Sequence, residues 1–322
     1  MSDLTDGATL GARLRAGDLS AAPAALNLVE NRSPASRVES ANLLRETSPA
    51  AIGHDATGHL IGVTGPPGAG KSTLLSALVA AWRSDGRSVA VLAVDPSSKR
   101  SGGSLLGDRA RIVVDPSDSE IFIRSTAAGE QLGGLAPATR AGAQALSVAF
   151  DVVVIETVGV GQSETDVADV VDTNVVVVQP GSGDVLQFLK SGIMETPDVL
   201  VVTKADLGQV ALSARRDLSA ALRSLGARQT EVISVSAIAP LSGIVELIAA
   251  IDTHWAGADV GPRRLQARRR HALADFLAEH GASGLRALGG RRTAMAWLDE
   301  QEPGVDVPGL TALLEAQAAA GR

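Results

Sequence analysis

The feature of this sequence that most constrains its fold is a glycine-rich stretch that fits the pattern G-x-x-x-x-G-K-[ST]. It runs from Gly65 to Ser72, between an apolar segment that starts at residue 60 and a segment with helical spacing of apolar residues. Glycines let the backbone turn with its N–H groups pointing inward, and the following helix N-terminus adds positive potential. This context predicts a strand, a phosphate-binding loop (P-loop) and a helix in direct succession.

Strand-like and helix-like segments alternate between residues 58 and 256. Several strand-like segments are continuous apolar runs, as at 152–155 and 175–178, which is typical of parallel strands buried on both faces. We therefore expect an α/β P-loop domain at 58–256, with a doubly wound, mostly parallel sheet. The strands are expected at residues 59–64, 88–95, 120–124, 151–156, 173–179, 198–203 and 231–235. The helices are expected at residues 71–84, 135–149, 185–194, 210–225 and 241–255.

The segments on either side of this domain have helical patterns without strands. Residues 1–57 are expected to form short helices, and residues 257–322 are expected to form a C-terminal helical arm. A cluster of five arginines lies near the start of the arm. We interpret it as a solvated helix face, with an intersubunit contact as the alternative. The cluster consists of Arg263, Arg264, Arg268, Arg269 and Arg270.

Composition argues against several classes of function. A net charge of −7 and an aromatic content of 2% argue against a nucleic-acid-binding surface. The chain has no cysteine, which excludes disulfides and thiolate metal sites. It has neither a run of 18 apolar residues nor a signal-peptide pattern. We therefore expect a cytoplasmic protein without a membrane partner.

The P-loop motif assigns roles to its own residues. Lys71 is expected to reach the β- and γ-phosphates of a nucleotide, and Ser72 to bind Mg²⁺ through its hydroxyl. Thr73 is expected to help hold the α-phosphate. The rest of the cradle is expected from the backbone of Gly65, Pro66, Gly68, Ala69 and Gly70.

Acidic residues at neighbouring strand ends are candidates for the metal site. Glu156 ends an apolar strand and is expected to bind Mg²⁺ directly or through water, while Gly159 can offer its N–H to the γ-phosphate. Asp95 ends another strand and is a second candidate ligand, with a capping role as the alternative. Asp108 lies in a stretch that could respond to the γ-phosphate as nucleotide switches do, with a solvated loop charge as its alternative.

A second motif indicates which base is bound. It is Thr203-Lys204-Ala205-Asp206, after the apolar strand at 198–203. The Asp206 carboxylate can accept from N1–H and N2–H₂ of guanine, whereas adenine presents no such pair of donors. The Lys204 stem is expected over the base plane. Ser236 and Ala237 are expected to form a second base-side loop with a backbone donor for the guanine oxygen.

These motifs belong to longer stretches that resemble one known family. From about Leu26 to Leu207 the chain is similar to the MeaB/ArgK-type P-loop GTPases, the chaperones of adenosylcobalamin-dependent acyl-CoA mutases. The similarity is densest at residues 28–32, 62–73, 95–111, 156–164 and 181–195. The resemblance implies a GTPase that binds GTP, GDP and Mg²⁺. It also implies that residues 179–187 act as a switch facing the mutase and that the arm forms a homodimer.

The sequence departs from the family where Thr203 replaces the usual Asn and where Arg109 replaces the usual Lys. A threonine can still hydrogen-bond, so guanine selectivity is expected with weaker anchoring of the loop. In the leading interpretation, Lys71, Asp108, Glu156 and Gln162 serve GTP hydrolysis. Gln162 is a candidate for positioning the attacking water, with packing of a switch loop as its alternative.

Two other functions stay open at this point. One is a phosphotransferase, since the family has also carried a transport-kinase label. The other is a metal-delivery GTPase, although the five histidines are scattered along the chain and cysteine is absent.

Overall fold

The computed structural model describes residues 6–95, 112–127, 135–157, 167–181, 197–227 and 229–320. The chain divides into two compact units. The first, here called the sheet unit, comprises residues 59–139 and 150–258. The second, called the helical unit, comprises residues 1–58, 140–149 and 259–322. Within the described ranges, no helix is long and apolar enough to cross a membrane.

Seven parallel strands form the sheet, which confirms the predicted doubly wound fold. Their order across the sheet is β3-β2-β4-β1-β5-β6-β7. They are β1 His59–Thr64, β2 Val89–Asp95, β3 Ile121–Ala127, β4 Val152–Thr157, β5 Thr173–Val178, β6 Val199–Val202 and β7 Glu231–Ser234. Strand β3 continues past the expected end because it pairs with β2 along its whole length. The central strands β1, β4, β5 and β6 are buried throughout, as their apolar runs predict.

Helices cover both faces of the sheet. On one face, α5 (Lys71–Ser84) and α8 (Ile244–Gly257) pack in a core that includes Trp82 and Ile251. On the other face, Leu218 and Leu222 of α7 (Gln209–Ser224) pack against β5, β6 and β7. A short 3₁₀ turn, Ala205–Leu207, precedes α7. The expected helix at 185–194 lies outside the described residues.

The helical unit contains the helices from both ends of the chain. Its apolar core is built from residues such as Phe276, Leu298 and Leu314. The helices are α1 Gly7–Arg15, α2 Ala22–Glu30, α3 Pro34–Glu46, α4 Pro49–Ile52, α9 Val260–Ala287, α10 Arg291–Asp299, α11 Val307–Ala320 and, from residue 140 onward, α6 Pro137–Leu146. Proline stands in the first turn of α2, α3 and α4, where its missing N–H costs no helical hydrogen bond. Helix α9 breaks at Gly281, whose φ of 57° is non-helical.

The interpretation of the arginine cluster as a solvated face is wrong for Arg268 and Arg269. These side chains are only 9% and 7% exposed. Arg268 contacts Asp55 at 3.2 Å, and Arg269 contacts Asp299 at 3.1 Å. Both also donate to backbone carbonyls, including Pro303 O and Gln301 O. Carbonyls at chain turns therefore supply the acceptors that let two arginines be buried.

Another ion pair of the helical unit, partly buried, involves α9. Arg140 donates to Asp275 at 2.6 Å. Burial raises the pKa of the Asp275 carboxyl, and the attraction of Arg140 opposes that rise. Burial also lowers the pKa of His271 to about 3, and repulsion from Arg140 and Arg270 lowers it further. His271 is therefore neutral at physiological pH.

At the amino-terminal edge of the sheet, four polar side chains form a hydrogen-bonded chain. The Thr173 hydroxyl lies 2.7 Å from Nε2 of His59 and 2.9 Å from Nδ1 of His254. Nε2 of His254 lies 3.1 Å from Asp198. The His59 ring stacks on Trp255 with centroids 4.5 Å apart. These contacts fix the end of α8 against the strand starts, at the opposite edge of the sheet from the P-loop.

Candidate nucleotide-binding site

The predicted site residues follow the carboxyl ends of adjacent strands. The P-loop follows β1 in the middle of the sheet, and Glu156 lies on β4 directly beside it, opposite Val63. On the other side of β1, Gln179 follows β5, Thr203 follows β6 and Ser236 lies just beyond β7. The strand order therefore places the residues predicted to bind phosphate and metal on one side and those predicted to bind the base on the other.

The P-loop conformation requires glycine at two positions for different reasons. Gly65 has a φ of 136°, and a Cβ there would lie 2.0 Å from the Val177 carbonyl oxygen. Gly70 has a φ of 91° and caps helix α5 in the left-handed conformation. No acidic residue occurs in the first turn of α5. The N–H groups and the positive end of this helix are thus available to an anion.

The residues predicted to bind phosphate and metal lie close together. Lys71 is buried, and its ammonium donates to the carbonyls of Gly65 at 2.7 Å and Pro66 at 3.2 Å. The Ser72 hydroxyl donates to Glu156 Oε1 at 3.0 Å. Thr73 is exposed in the first turn of α5. The arrangement places one compact positive charge inside the loop and a hydroxyl–carboxylate pair at its edge.

The Ser72–Glu156 pair fits a magnesium ion. Both are hard oxygen donors, and Glu156 is 4% exposed. Mg²⁺ is commonly held by one or two protein oxygens together with nucleotide phosphates. In the described part of the chain, no group of three or more His, Asp or Glu side chains could hold a metal ion.

Thr203 anchors the P-loop to the base side. Its hydroxyl lies 2.6 Å from the Ala69 carbonyl and 3.0 Å from the Val178 carbonyl, and the residue is 3% exposed. The backbone N–H of Thr203 also donates to Val178 O, at 2.9 Å. The threonine therefore ties three segments together: the P-loop, the end of β5 and the end of β6.

The two base-side loops also meet. The Ser236 hydroxyl lies 3.4 Å from Asp206 Oδ1 and 3.0 Å from the Ile238 carbonyl. The Ala205 N–H donates to Val235 O at 3.1 Å, which holds the Asp206 loop beside the segment that contains Ala237. Asp206 itself is exposed to solvent.

Sequence reasoning missed one contact in this site. The Lys204 ammonium donates to the side-chain carbonyl of Gln179, and it lies 3.4 Å from Gly68 O. Gln179 directly follows the apolar strand β5. A polar residue directly after an apolar strand was the signal that could have identified Gln179 as a site residue.

Several predicted residues lie outside the described part of the chain. They are Asp108, Gly159 and Gln162. For Asp95 the structure gives the backbone, which pairs with Ala127 at the end of β2, and not the side chain. The roles predicted for these four residues stay predictions.

Comparison with known proteins gives consistent results. Residues 21–285 match the family model described as methylmalonyl Co-A mutase-associated GTPase MeaB. A probable GTPase of Mycobacterium tuberculosis is 41% identical over 285 residues, which cover 85% of this chain and 81% of that protein.

Two further similarities are narrower or structural. The mouse protein named methylmalonic aciduria type A homolog, mitochondrial, is 45% identical over 160 residues, or 48% of this chain and 38% of that protein. A crystal structure described as LAO/AO transport system kinase superposes with a TM-score of 0.65 at 29% identity. That match covers 93% of this chain and 98% of the other.

Proposed function

The chain belongs to the methylmalonyl-CoA mutase-associated GTPase family, MeaB, and on that basis we propose that it is a cytoplasmic, magnesium-dependent GTPase that acts on an adenosylcobalamin-dependent acyl-CoA mutase. The observation that carries the nucleotide part is the Thr203 hydroxyl, 2.6 Å from the Ala69 carbonyl. It joins the phosphate loop to the loop that carries Asp206. The loops proposed to bind the triphosphate and the guanine base are therefore physically connected.

Each described residue has a defined task in this proposal. The backbone N–H groups of the P-loop and α5 bind the phosphates, and Lys71 exchanges loop carbonyls for β- and γ-phosphate oxygens. Asp206 accepts two hydrogen bonds from guanine, and Ser236 orients that carboxylate. Mg²⁺ would be held by Ser72 and, directly or through water, by Glu156, and it supplies positive charge beside the phosphates.

In the reaction, the oxygen of a water molecule bonds to the γ-phosphorus, and the bond to the β–γ bridging oxygen breaks. The products are GDP and inorganic phosphate. The chain contributes chiefly by positioning the phosphates and by stabilising their charge. Asp108 and Gln162 are proposed to act near the γ-phosphate, Gln162 as the candidate for orienting the water.

Phosphate release tests the enzymatic part. Wild-type protein with GTP and Mg²⁺ should release phosphate without any added acceptor, and Lys71→Ala should nearly abolish it. Release by the wild type at the rate of Lys71→Ala would refute a GTPase.

The mutase partner is supported by the family description and by the name of the mouse relative. We propose that GTP hydrolysis gates cofactor loading or protects the loaded mutase. Coupling of this kind is reciprocal in binding, so a mutase whose affinity depends on GTP must also change the affinity for GTP. Purified mutase from the same organism should form a complex that depends on the nucleotide and should change the rate of phosphate release. No complex in any nucleotide state would refute this partner.

Self-association is a separate part of the proposal. The resemblance implies a homodimer through the C-terminal arm. Residues of that arm also contact the N-terminal segment within the helical unit, for example Arg268 with Asp55, so deleting the arm would damage that unit. Light scattering on the intact chain is therefore the better test. A mass of two chains at micromolar concentration is expected, and a monomer would remove the dimer from the proposal.

The similarity to the LAO/AO transport system kinase structure favours one alternative, a phosphotransferase. The same GTP assay separates the two. Label from the γ-phosphate should appear as free phosphate for a GTPase, whereas a phosphotransferase would move it to an added protein or small-molecule acceptor.

A further inference from the structure

Lys204 combines an unusual backbone conformation with side-chain contacts to two other segments. Its φ of 55° and ψ of 43° lie in the left-handed region, and no other non-glycine residue of the described ranges has a positive φ. A residue with a Cβ adopts this region only where its surroundings impose it. The ammonium supplies two restraints, one to the side-chain carbonyl of Gln179 and one to Gly68 O.

These restraints repeat, one residue later, the contacts that Thr203 makes. Thr203 joins Ala69 to Val178 through its hydroxyl. Lys204 joins Gly68 to Gln179 through its ammonium. The same three segments are thus connected twice in succession. The Thr203 connection is buried, whereas Lys204 is exposed and Gln179 is half-buried.

We propose that Gln179 is a positioning residue of the guanine pocket: it holds the Lys204 ammonium between β5 and the P-loop, so that the lysine stem lies along the base plane. The inference rests on the proposed guanine-nucleotide function. It deepens that function by adding a residue from a third segment, outside both the P-loop and the Thr203–Asp206 motif.

The chemistry of the amide suits this role. Its carbonyl oxygen accepts a hydrogen bond from the ammonium without neutralising the charge. The lysine therefore keeps its positive charge for the electron-rich face and edge of the base. A charge-assisted hydrogen bond is stronger than a neutral one, so a single neutral acceptor can restrain a long, exposed lysine.

A double-mutant cycle tests the proposal with a fluorescent GDP analogue. Gln179→Leu keeps the approximate volume and removes the acceptor. Loss of one exposed charge-assisted hydrogen bond should raise Kd about 3–10-fold, mainly through faster dissociation. In a Lys204→Ala background, the same Gln179→Leu change should alter Kd by less than about twofold, because its partner is already gone.

Two further variants separate positioning from general packing. Gln179→Glu keeps an acceptor at the same reach but pairs the Lys204 ammonium with a negative charge, so its Kd should lie between those of wild type and Gln179→Leu. Gln179→Asn moves the amide one methylene away and should behave like Gln179→Leu. A melting curve of each variant without nucleotide checks that all are folded.

The outcomes are distinct. If Gln179→Leu changes Kd equally with and without Lys204, or does not change it at all, this inference is overturned. The proposed function would still stand in that case, provided that the wild type binds GDP. A wild type that binds no guanine nucleotide would overturn both.

Discussion

Removing the buried hydroxyl of Thr203 is a perturbation of the nucleotide site whose effect on GDP affinity can be worked out from the structure. Thr203→Val keeps the shape of the side chain and removes the group that lies 2.6 Å from Ala69 O and 3.0 Å from Val178 O. The Val178 carbonyl still receives the backbone N–H of residue 203 at 2.9 Å. The Ala69 carbonyl loses the donor that Thr203 supplies, and Ala69 is 0% exposed.

The magnitude follows from that difference. A buried carbonyl deprived of its donor costs about 1–3 kcal/mol. Because the P-loop must hold its position to bind phosphate, this cost weakens the free energy of GDP binding by the same amount. Each 1.4 kcal/mol of binding free energy is about a tenfold change in Kd. Thr203→Val should therefore bind GDP about 5–150-fold more weakly.

Titration calorimetry with GDP measures this directly. Thr203→Ser retains the hydroxyl and should stay within about threefold of wild type, which makes it the matched control. Thr203→Val binding GDP as tightly as wild type, in a protein that melts normally, would refute the idea that this hydroxyl anchors the P-loop.

Three other changes probe separate parts of the molecule. Glu156→Gln should raise the Mg²⁺ concentration needed for half-maximal GTP turnover about 10–100-fold, and an unchanged Mg²⁺ titration would remove Glu156 from the metal site. Thr173→Val should lower the free energy of unfolding in urea by about 1–3 kcal/mol, because His59 and His254 lose a shared partner, and an unchanged midpoint would contradict this. The depressed pKa of His271, about 3 in the folded state, means that the unfolded state binds the extra proton below its ordinary pKa of 6.5. The contribution of neutral His271 to the free energy of unfolding is complete above pH 6.5 and falls by up to about 1.4 kcal/mol per pH unit as the pH drops towards 3. Asp275 has a raised pKa in the folded state, so its protonation opposes this loss at acid pH. His271→Gln should flatten this acid slope in urea unfolding, and an unchanged slope would contradict the reasoning.

The site residues that sequence alone could indicate are those whose neighbours along the chain define their place in the fold. The P-loop needs a strand before it and a helix after it, and both were visible as apolar patterns. Glu156 followed from its position at the end of a valine-rich strand, because parallel strands bring their carboxyl ends to one edge. Asp206 was indicated by the motif Thr203-Lys204-Ala205-Asp206, which follows another apolar strand at the same edge.

The features that sequence could not supply depend on contacts between distant segments. Lys204 meets Gln179 because β5 and β6 are adjacent and in register, with Val178 opposite Val202. That register is set by packing and cannot be read from either strand alone. Arg268 and Arg269 looked solvated because the carbonyls that receive them, such as Pro303 O and Gln301 O, carry no signature in the side-chain sequence.

Base selection is the most direct test that this site binds guanine nucleotides. Binding of GDP, ADP and xanthosine diphosphate should be measured for wild type and Asp206→Asn. Wild type should bind GDP far more tightly than ADP. Asp206→Asn should lose about 2–3 kcal/mol of GDP binding, or about 30–150-fold, and should gain affinity for xanthosine diphosphate, whose oxygen can accept from the new amide. Equal affinity of the wild-type protein for ADP and GDP would contradict the assignment of Asp206 and, with it, the guanine site.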